Sequence, residues 1–90
     1  MSVQVIAVHL EGGYTHEHIT ELKWVDPADG SNKVSSKSQM VEYVDGGGSA
    51  YVEGTPRAYL HTVHPAGRPA YVQTKADGQW SNNLLSLDRY

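Results

Sequence analysis

The sequence contains no cysteine among its 90 residues. That absence excludes a disulfide framework and a thiolate metal site, two devices that stabilise many very small domains. A chain of this length is expected to form one small domain over residues 1–90 and to bury only about 60 to 65% of the surface that it exposes when unfolded. Core packing, aided by any self-association, must therefore stabilise the fold.

Long apolar runs are absent as well. No stretch approaches the ~20 apolar residues of a membrane-spanning helix. The segment from Met1 to Leu10 lacks the positive start and the long apolar centre of a signal peptide. We therefore expect a soluble, cytoplasmic protein with no membrane partner.

The excess of one sign of charge over the other is also small. Ten acidic residues stand against seven basic ones, which leaves a formal net charge of -3 at pH 7. So small an excess creates no long-range field that would collect nucleic acid or anionic lipid. Partners must be recognised by shape and local chemistry, and the composition argues against a nucleic-acid partner.

Hydrophobic periodicity predicts two strands at the start of the chain. Val3 to Leu10 is apolar on both alternations, as in a strand covered on both faces, and is predicted to be the central strand. Thr15 to Val25 follows a break at Gly12-Gly13 and is predicted to be its hairpin partner. Its apolar residues hold no single parity, so we expect a bulge or a weak edge. Residues 26–32 are rich in turn formers and predict an exposed loop.

The spacing of apolar residues becomes helical between Ser36 and Asp45 and predicts the helix of the fold. Serines precede this segment as caps, and Gly46 to Gly48 end it. At about three turns the helix is too short to be stable alone and must pack on a sheet. Period-two patterns then predict three strands, at residues 50–53, 58–64 and 69–75. The order β-β-α-β-β-β predicts an α+β domain, with one antiparallel sheet of about five strands and one short helix on it.

The segment from Ala70 to Leu87 is predicted to close the fold. A short strand runs into a turn at Asp77-Gly78, and the amides of Asn82-Asn83 are expected to satisfy backbone groups at a bend. Three leucines are expected to complete the core: Leu84, Leu85 and Leu87.

Several short motifs follow one another along the chain at defined spacings. They are Val5-Ile6-Ala7-Val8, the pair His18-Ile19, the helix followed by glycines, and Tyr71-Val72-x-Thr74-x-x-Asp77-Gly78 followed by Asn82-Asn83-Leu84-Leu85-x-Leu87. This order resembles the domain-of-unknown-function 3892 family, small proteins found mainly in bacteria and their phages. The family has no established activity, so the resemblance implies a compact domain and transfers no catalytic residue. Its frequency in actinobacterial phages implies a phage accessory role, in the host cytoplasm or in the virion.

Histidines are the sharpest chemical feature of the sequence. His16 and His18 are two apart, so on a strand both side chains would point to the same side. With a carboxylate such as Glu11 or Glu17 they could hold zinc, which binds imidazole nitrogen and carboxylate oxygen. A complete site would supply its third and fourth ligands at recognisable spacing, so ordinary polar strand positions are the favoured interpretation.

Aromatic side chains supply the candidate partner-binding residues. Tyr51, Tyr59 and Tyr71 fall on predicted strands, and Trp80 lies in the tail. Tyrosine and tryptophan dominate the binding energy of many protein interfaces. The competing interpretation is structural, because cross-strand aromatic pairs also stiffen small sheets.

No motif predicts catalysis. The chain has no cysteine nucleophile, no serine elbow and no paired carboxylates, so we expect a non-catalytic protein without a cofactor. The leading hypothesis is an accessory or interaction protein that binds a protein partner, or itself, through an exposed strand edge or the tyrosine-bearing face. One alternative is a zinc protein centred on His16 and His18. The other is a weak single-stranded nucleic-acid binder with Arg57, Arg68 and Lys75 beside the tyrosines.

Overall fold

Eight strands and one α-helix make up the regular structure of the described chain, so the predicted α+β class is confirmed. The computed structural model describes residues 2–54, 57–76, 78–81 and 83–90. The strands are β1 (Ser2–Leu10), β2 (Ile19–Val25), β3 (Asn32–Ser36), β4 (Ser49–Val52), β5 (Ala58–Val63), β6 (Tyr71–Ala76), β7 (Gln79–Ser81) and β8 (Asp88–Arg89). The helix α1 spans Lys37–Asp45, and two 3-10 turns span His16–His18 and Asn83–Ser86.

The strands form one sheet in the order β3-β2-β1-β4-β5-β6-β7, and β1 is an interior strand with neighbours on both sides, as its two apolar faces predict. β1 pairs antiparallel with β2, with register shifts between Val5 and Ala7 and between His9 and Leu10. The second shift skips Thr20 of β2 and is the irregularity expected in that strand. On its other edge, β1 pairs parallel with β4 near its start and with β8 near its end. The sheet is therefore larger than the predicted five strands, and it is mixed where a purely antiparallel sheet was expected.

Short strands and a crossover explain both differences. β3, β7 and β8 contain five, three and two residues, and β3 opens with three exposed residues, so no hydrophobic alternation marks them in the sequence. Parallel strands need a crossover connection, and the path through β2, β3 and α1 provides it for β1 and β4. The first part of the predicted second strand also differs, because His16–His18 forms a 3-10 turn before β2 begins.

Capping groups set both ends of α1. The Ser36 hydroxyl accepts a hydrogen bond from the Gln39 N–H at 3.2 Å, and the Ser36 N–H donates to Gln39 Oε1 at 2.9 Å. At the other end the Gly46 N–H bonds the Glu42 carbonyl, and Gly47 adopts φ +98°. The predicted helix and its glycine stop are confirmed. No helix in the described part of the chain is long and apolar enough to cross a membrane.

One hydrophobic cluster joins α1 to the sheet. Its buried members are Val3, Val5, Val8, Ile19, Leu22, Met40, Val41, Ala50, Val52, Leu60, Val72 and Leu84. Leu84 is fully buried, and Leu85 and Leu87 pack against the cluster, as the sequence predicts for the tail. The turn and bend roles predicted for Asp77, for Asn82 and for the Asn83 side chain lie outside the described residues.

Candidate functional site

Burial alternates along β5 and β6 and separates the two faces of the sheet. Ala58, Leu60 and Val72 are buried on the side that holds the core. Tyr59 and Lys75 alternate with them and therefore lie on the other side. We call that side the aromatic face; its members are Tyr51, Arg57, Tyr59, His61, Tyr71, Lys75 and Trp80.

Strand register places the four sequence-predicted contact residues on the aromatic face. Tyr51 pairs with Tyr59 across β4 and β5, and Tyr59 pairs with Lys75 across β5 and β6. Lys75 in turn pairs with Trp80. Residues that oppose one another in a ladder have their side chains on the same side. Tyr71 lies four residues before Lys75 on β6 and shares its side.

Exposure divides the four residues into two groups. Tyr59 and Trp80 are 42% and 50% exposed, whereas Tyr51 is only 6% exposed and Tyr71 is half-buried. The rings of Tyr51 and Tyr59 lie 6.0 Å apart, tilted by 53°. Tyr59 and Trp80 are thus available to a partner, and Tyr51 supports Tyr59 from below.

Arg57 packs on Tyr51, the buried member of the Tyr51–Tyr59 pair. Its guanidinium lies 4.1 Å from the centre of the Tyr51 ring, a cation–π contact. Its Nη2 donates to Glu53 Oε2 at 3.0 Å. Hydrogen bonding to Tyr59, and then to Glu53, raises the pKa of Arg57. Arg57 therefore holds both tyrosines in place while Glu53 offsets its charge.

Two side chains hold Trp80. Lys75 Nζ lies 4.4 Å from the centre of the indole, and the His61 ring meets the indole edge-on, with ring centres 6.2 Å apart and planes at 81°. Such contacts stabilise an exposed ring by about 0.5 to 1 kcal/mol each. The sequence gives no sign of the His61 contact, because it depends on how β5, β6 and β7 are aligned. Arg68, predicted to lie beside the tyrosines, instead bonds Glu17 at 3.0 Å.

The candidate metal ligands His16 and His18 lie in a 3-10 turn. The expectation that they share one side of a strand is wrong, since neither residue is on a strand. His18 Nδ1 lies 2.8 Å from the Thr15 hydroxyl. Its ring lies against Gly13, where a Cβ atom would come within 2.5 Å of it. The Gly12-Gly13 break therefore makes room for the His18 ring.

His16 is buried, and its Nε2 has no hydrogen-bond partner among the described residues. Burial lowers the pKa of His16, because it disfavours the charged imidazolium. Within the described ranges no group of three or more His, Cys, Asp or Glu side chains could hold a metal ion. Among the described residues, His16 and His18 therefore have no third ligand for zinc. The zinc hypothesis stays a prediction.

Acidification is expected to destabilise the fold through His16. Because the folded pKa is lowered below 6.5, the unfolded chain takes up this proton first as the pH falls. The contribution of His16 to stability is complete above pH 6.5 and is lost below it, with a slope of at most about 1.4 kcal/mol per pH unit. Urea unfolding at a series of pH values gives the free energy of unfolding of the wild type and of His16→Leu. Below pH 6.5 this free energy should fall more steeply with falling pH for the wild type than for the variant. Parallel curves would contradict the assignment.

Asp45 organises a polar cluster where α1 ends beside β5. Thr62 Oγ1 donates to Asp45 Oδ1 at 2.6 Å, and His64 Nε2 lies 3.0 Å from Asp45 Oδ2. Hydrogen bonding from Thr62, and then from His64, lowers the pKa of this carboxyl. The carboxylate stands between the hydroxyl and the imidazole, whereas a nucleophile relay needs the imidazole in the middle. The cluster ties α1 to β5. That the protein is non-catalytic stays a prediction.

Comparison with known families decides the affiliation of the chain. The model of the DUF3892 family, described as a protein of unknown function, matches residues 4–88. The chain belongs to this family. The resemblance seen in the sequence is thereby confirmed, and the matched range of this DUF3892 protein includes every member of the aromatic face. No curated protein and no solved structure gave a significant match.

Proposed function

We propose that this DUF3892 protein is a non-catalytic interaction protein that binds a protein partner through the aromatic face. The observation that carries the proposal is the exposure of Tyr59 and Trp80 on a sheet, where both rings are already held by neighbouring side chains. Aromatic residues of this kind are enriched among the residues that dominate interface energies. Rings fixed before binding lose less conformational entropy when a partner docks.

The charges of the face favour a partner with local acidity. Lys75 lies over Trp80, and its ammonium adds a positive charge beside the most exposed ring of the face. Arg57 is less available, because Glu53 already bonds it. A partner segment that combines an apolar contact on Trp80 with a carboxylate near Lys75 matches this arrangement. The phage accessory setting implied by the family belongs to the same proposal.

Single-stranded nucleic acid is the second candidate, because a cation stacked on an exposed ring, as Lys75 is on Trp80, also suits bases and phosphates. The chain nevertheless carries a net charge of -3, and Glu53 offsets one of the two cations of the face. Few phosphates could then be neutralised, and the salt dependence of binding follows the number of such contacts. The observations favour a protein partner.

Capture with a matched variant tests the proposal. Immobilised wild type and the double variant Tyr59→Ala/Trp80→Ala are incubated with native lysate of the producing cells, and retained proteins are quantified by mass spectrometry. We expect a stoichiometric protein that the wild type retains and the double variant loses. Tyr14→Ala serves as control, because Tyr14 is 78% exposed and lies outside the aromatic face.

Three outcomes separate the alternatives. Equal retention by the wild type and the double variant would remove the aromatic face from the proposal. A wild-type dimer in light scattering that becomes a monomer in the double variant would identify a second copy as the partner. Binding of a labelled oligonucleotide that depends on Tyr59 and Trp80 and weakens steeply with salt would favour the nucleic-acid candidate.

A further inference from the structure

The edge strand β3 presents an unpaired backbone. Within the described residues β3 pairs only with β2, so about half of its backbone N–H and C=O groups point away from the sheet. Its five residues pair with β2 without a register shift, so no bulge turns the edge aside. Asn32, Lys33 and Val34 are exposed, with Val34 at 50%. An edge of this kind can accept a further strand.

A cavity lies beside this edge, on the side of the sheet that holds α1. Its volume is about 150 Å³, and it is lined by Val3, Trp24, Ser35, Gln39, Met40 and Tyr43. Ser35 belongs to β3 itself, and its hydroxyl accepts a hydrogen bond from Trp24 Nε1 at 2.9 Å. A protein cavity of about 150 Å³ with apolar walls can hold a benzene molecule. One leucine or phenylalanine side chain therefore suits this space.

We propose that the β3 edge and this cavity together accept an extended peptide segment of another protein as an added strand. In such complexes main-chain hydrogen bonds supply affinity, and pockets for alternate side chains supply specificity. A partner residue opposite Ser35 would direct its side chain to the α1 side, towards the cavity. The partner residue two positions away would lie opposite Lys33 on the same side.

Charge selects the second partner residue. Lys33 is exposed, and its Nζ lies 5.7 Å from the centre of the Trp24 ring, close to the cavity wall. An acidic side chain opposite Lys33 would meet this ammonium, whereas a basic one would be repelled. The partner is thus an extended segment with a leucine- or phenylalanine-sized residue and an acidic residue two positions apart.

This site is separate from the aromatic face and goes beyond the function proposed for it. β3 ends the sheet on one side and β7, which carries Trp80, ends it on the other. The cavity lies on the α1 side of the sheet, opposite the aromatic face. Peptide binding at β3 therefore does not depend on Tyr59 or Trp80.

Selection from a random nonapeptide library displayed on yeast tests the inference with the intact protein. We expect enriched sequences to share a leucine- or phenylalanine-sized residue and an Asp or Glu two positions from it. A synthetic peptide of the enriched sequence is then measured by fluorescence anisotropy. Ser35→Met, which directs an apolar side chain at the cavity, should weaken binding at least about tenfold, because the partner's apolar residue loses its buried site.

Charge reversal provides a second variant that does not depend on the cavity. Lys33→Glu should reverse the preference, so that a peptide with Lys in place of its acidic residue binds better than the original. Lys75→Glu makes the same change of charge on the aromatic face and should leave the affinity unchanged. Thermal unfolding of each variant establishes that it folds.

Four results of the peptide experiments would overturn the inference. They are a library without enrichment, a peptide that binds Ser35→Met as tightly as the wild type, a charge preference that Lys33→Glu leaves unchanged, and a peptide whose binding depends on Lys75. The last result would assign the peptide to the aromatic face and support the function proposed above. A wild-type dimer whose β3 amides are protected from hydrogen exchange would show that β3 pairs with a second copy of the protein. That result would overturn the proposed partner.

Discussion

Leu84→Ala is expected to lower the free energy of unfolding by about 2 to 5 kcal/mol. Leu84 lies in the 3-10 turn Asn83–Ser86, its side chain is fully buried, and it belongs to the cluster that joins α1 to the sheet. Truncation removes buried methyl groups and leaves a cavity that the surrounding strands can fill only in part. A domain of this size has a total stability of roughly 5 to 13 kcal/mol, so the loss is a large part of it.

Leu85→Ala is the matched control for this prediction. Leu85 is the next residue in the same turn but is only half-buried, so its truncation is expected to cost clearly less. Urea unfolding of the wild type and both variants, followed by circular dichroism, measures the difference. Equal losses for the two leucines would mean that the tail does not complete the core in the way that the burial of Leu84 indicates.

Replacing Tyr59 and Trp80 together by alanine is expected to weaken partner binding by about 2 kcal/mol or more, roughly 30-fold. The variant also loses the ring contacts with Tyr51, Lys75 and His61, so the free energy of unfolding should fall by about 1.5 to 3 kcal/mol. The variant should still fold, because both rings lie outside the buried cluster. Isothermal titration with the captured partner, together with urea unfolding of the same variant, measures both quantities.

Single substitutions on the aromatic face refine this result. Lys75→Ala should weaken binding less than Trp80→Ala, because it removes the cation that holds the ring but leaves the ring itself. Tyr14→Ala should leave the affinity unchanged. If Trp80→Ala bound as tightly as the wild type, the contact would have to lie elsewhere on the protein.

Features set by local sequence were predictable. The helix was expected between Ser36 and Asp45, and it forms over Lys37–Asp45 with Ser36 as its cap, since a capping box and glycine stop act over a few residues. The interior position of β1 followed from its apolar residues on both faces. The burial of Leu84 followed from the leucine cluster in the tail.

Features set by distant pairing were not predictable. β3 and β8 carry no hydrophobic alternation, and their ladders depend on β2 and β1. The turn at His16–His18 interrupts a segment whose composition suits a strand, which removes the geometry expected for zinc ligands. The contact between His61 and Trp80 joins residues on β5 and β7, which are not neighbours in the chain.

The sequence by itself determined the α+β class, the family, the helix with its caps and the four aromatic candidates, because each depends on residue type and short spacing. Only the tertiary structure decided that these aromatics share one face, that Arg57 and Lys75 cover two of them, and that a cavity lies beside a free edge. Strand register has a period of two, so a slip of one residue would have turned Tyr59 into the core. That register depends on the hydrophobic pattern of both paired strands and on the turn between them, so no single segment of the sequence determines it.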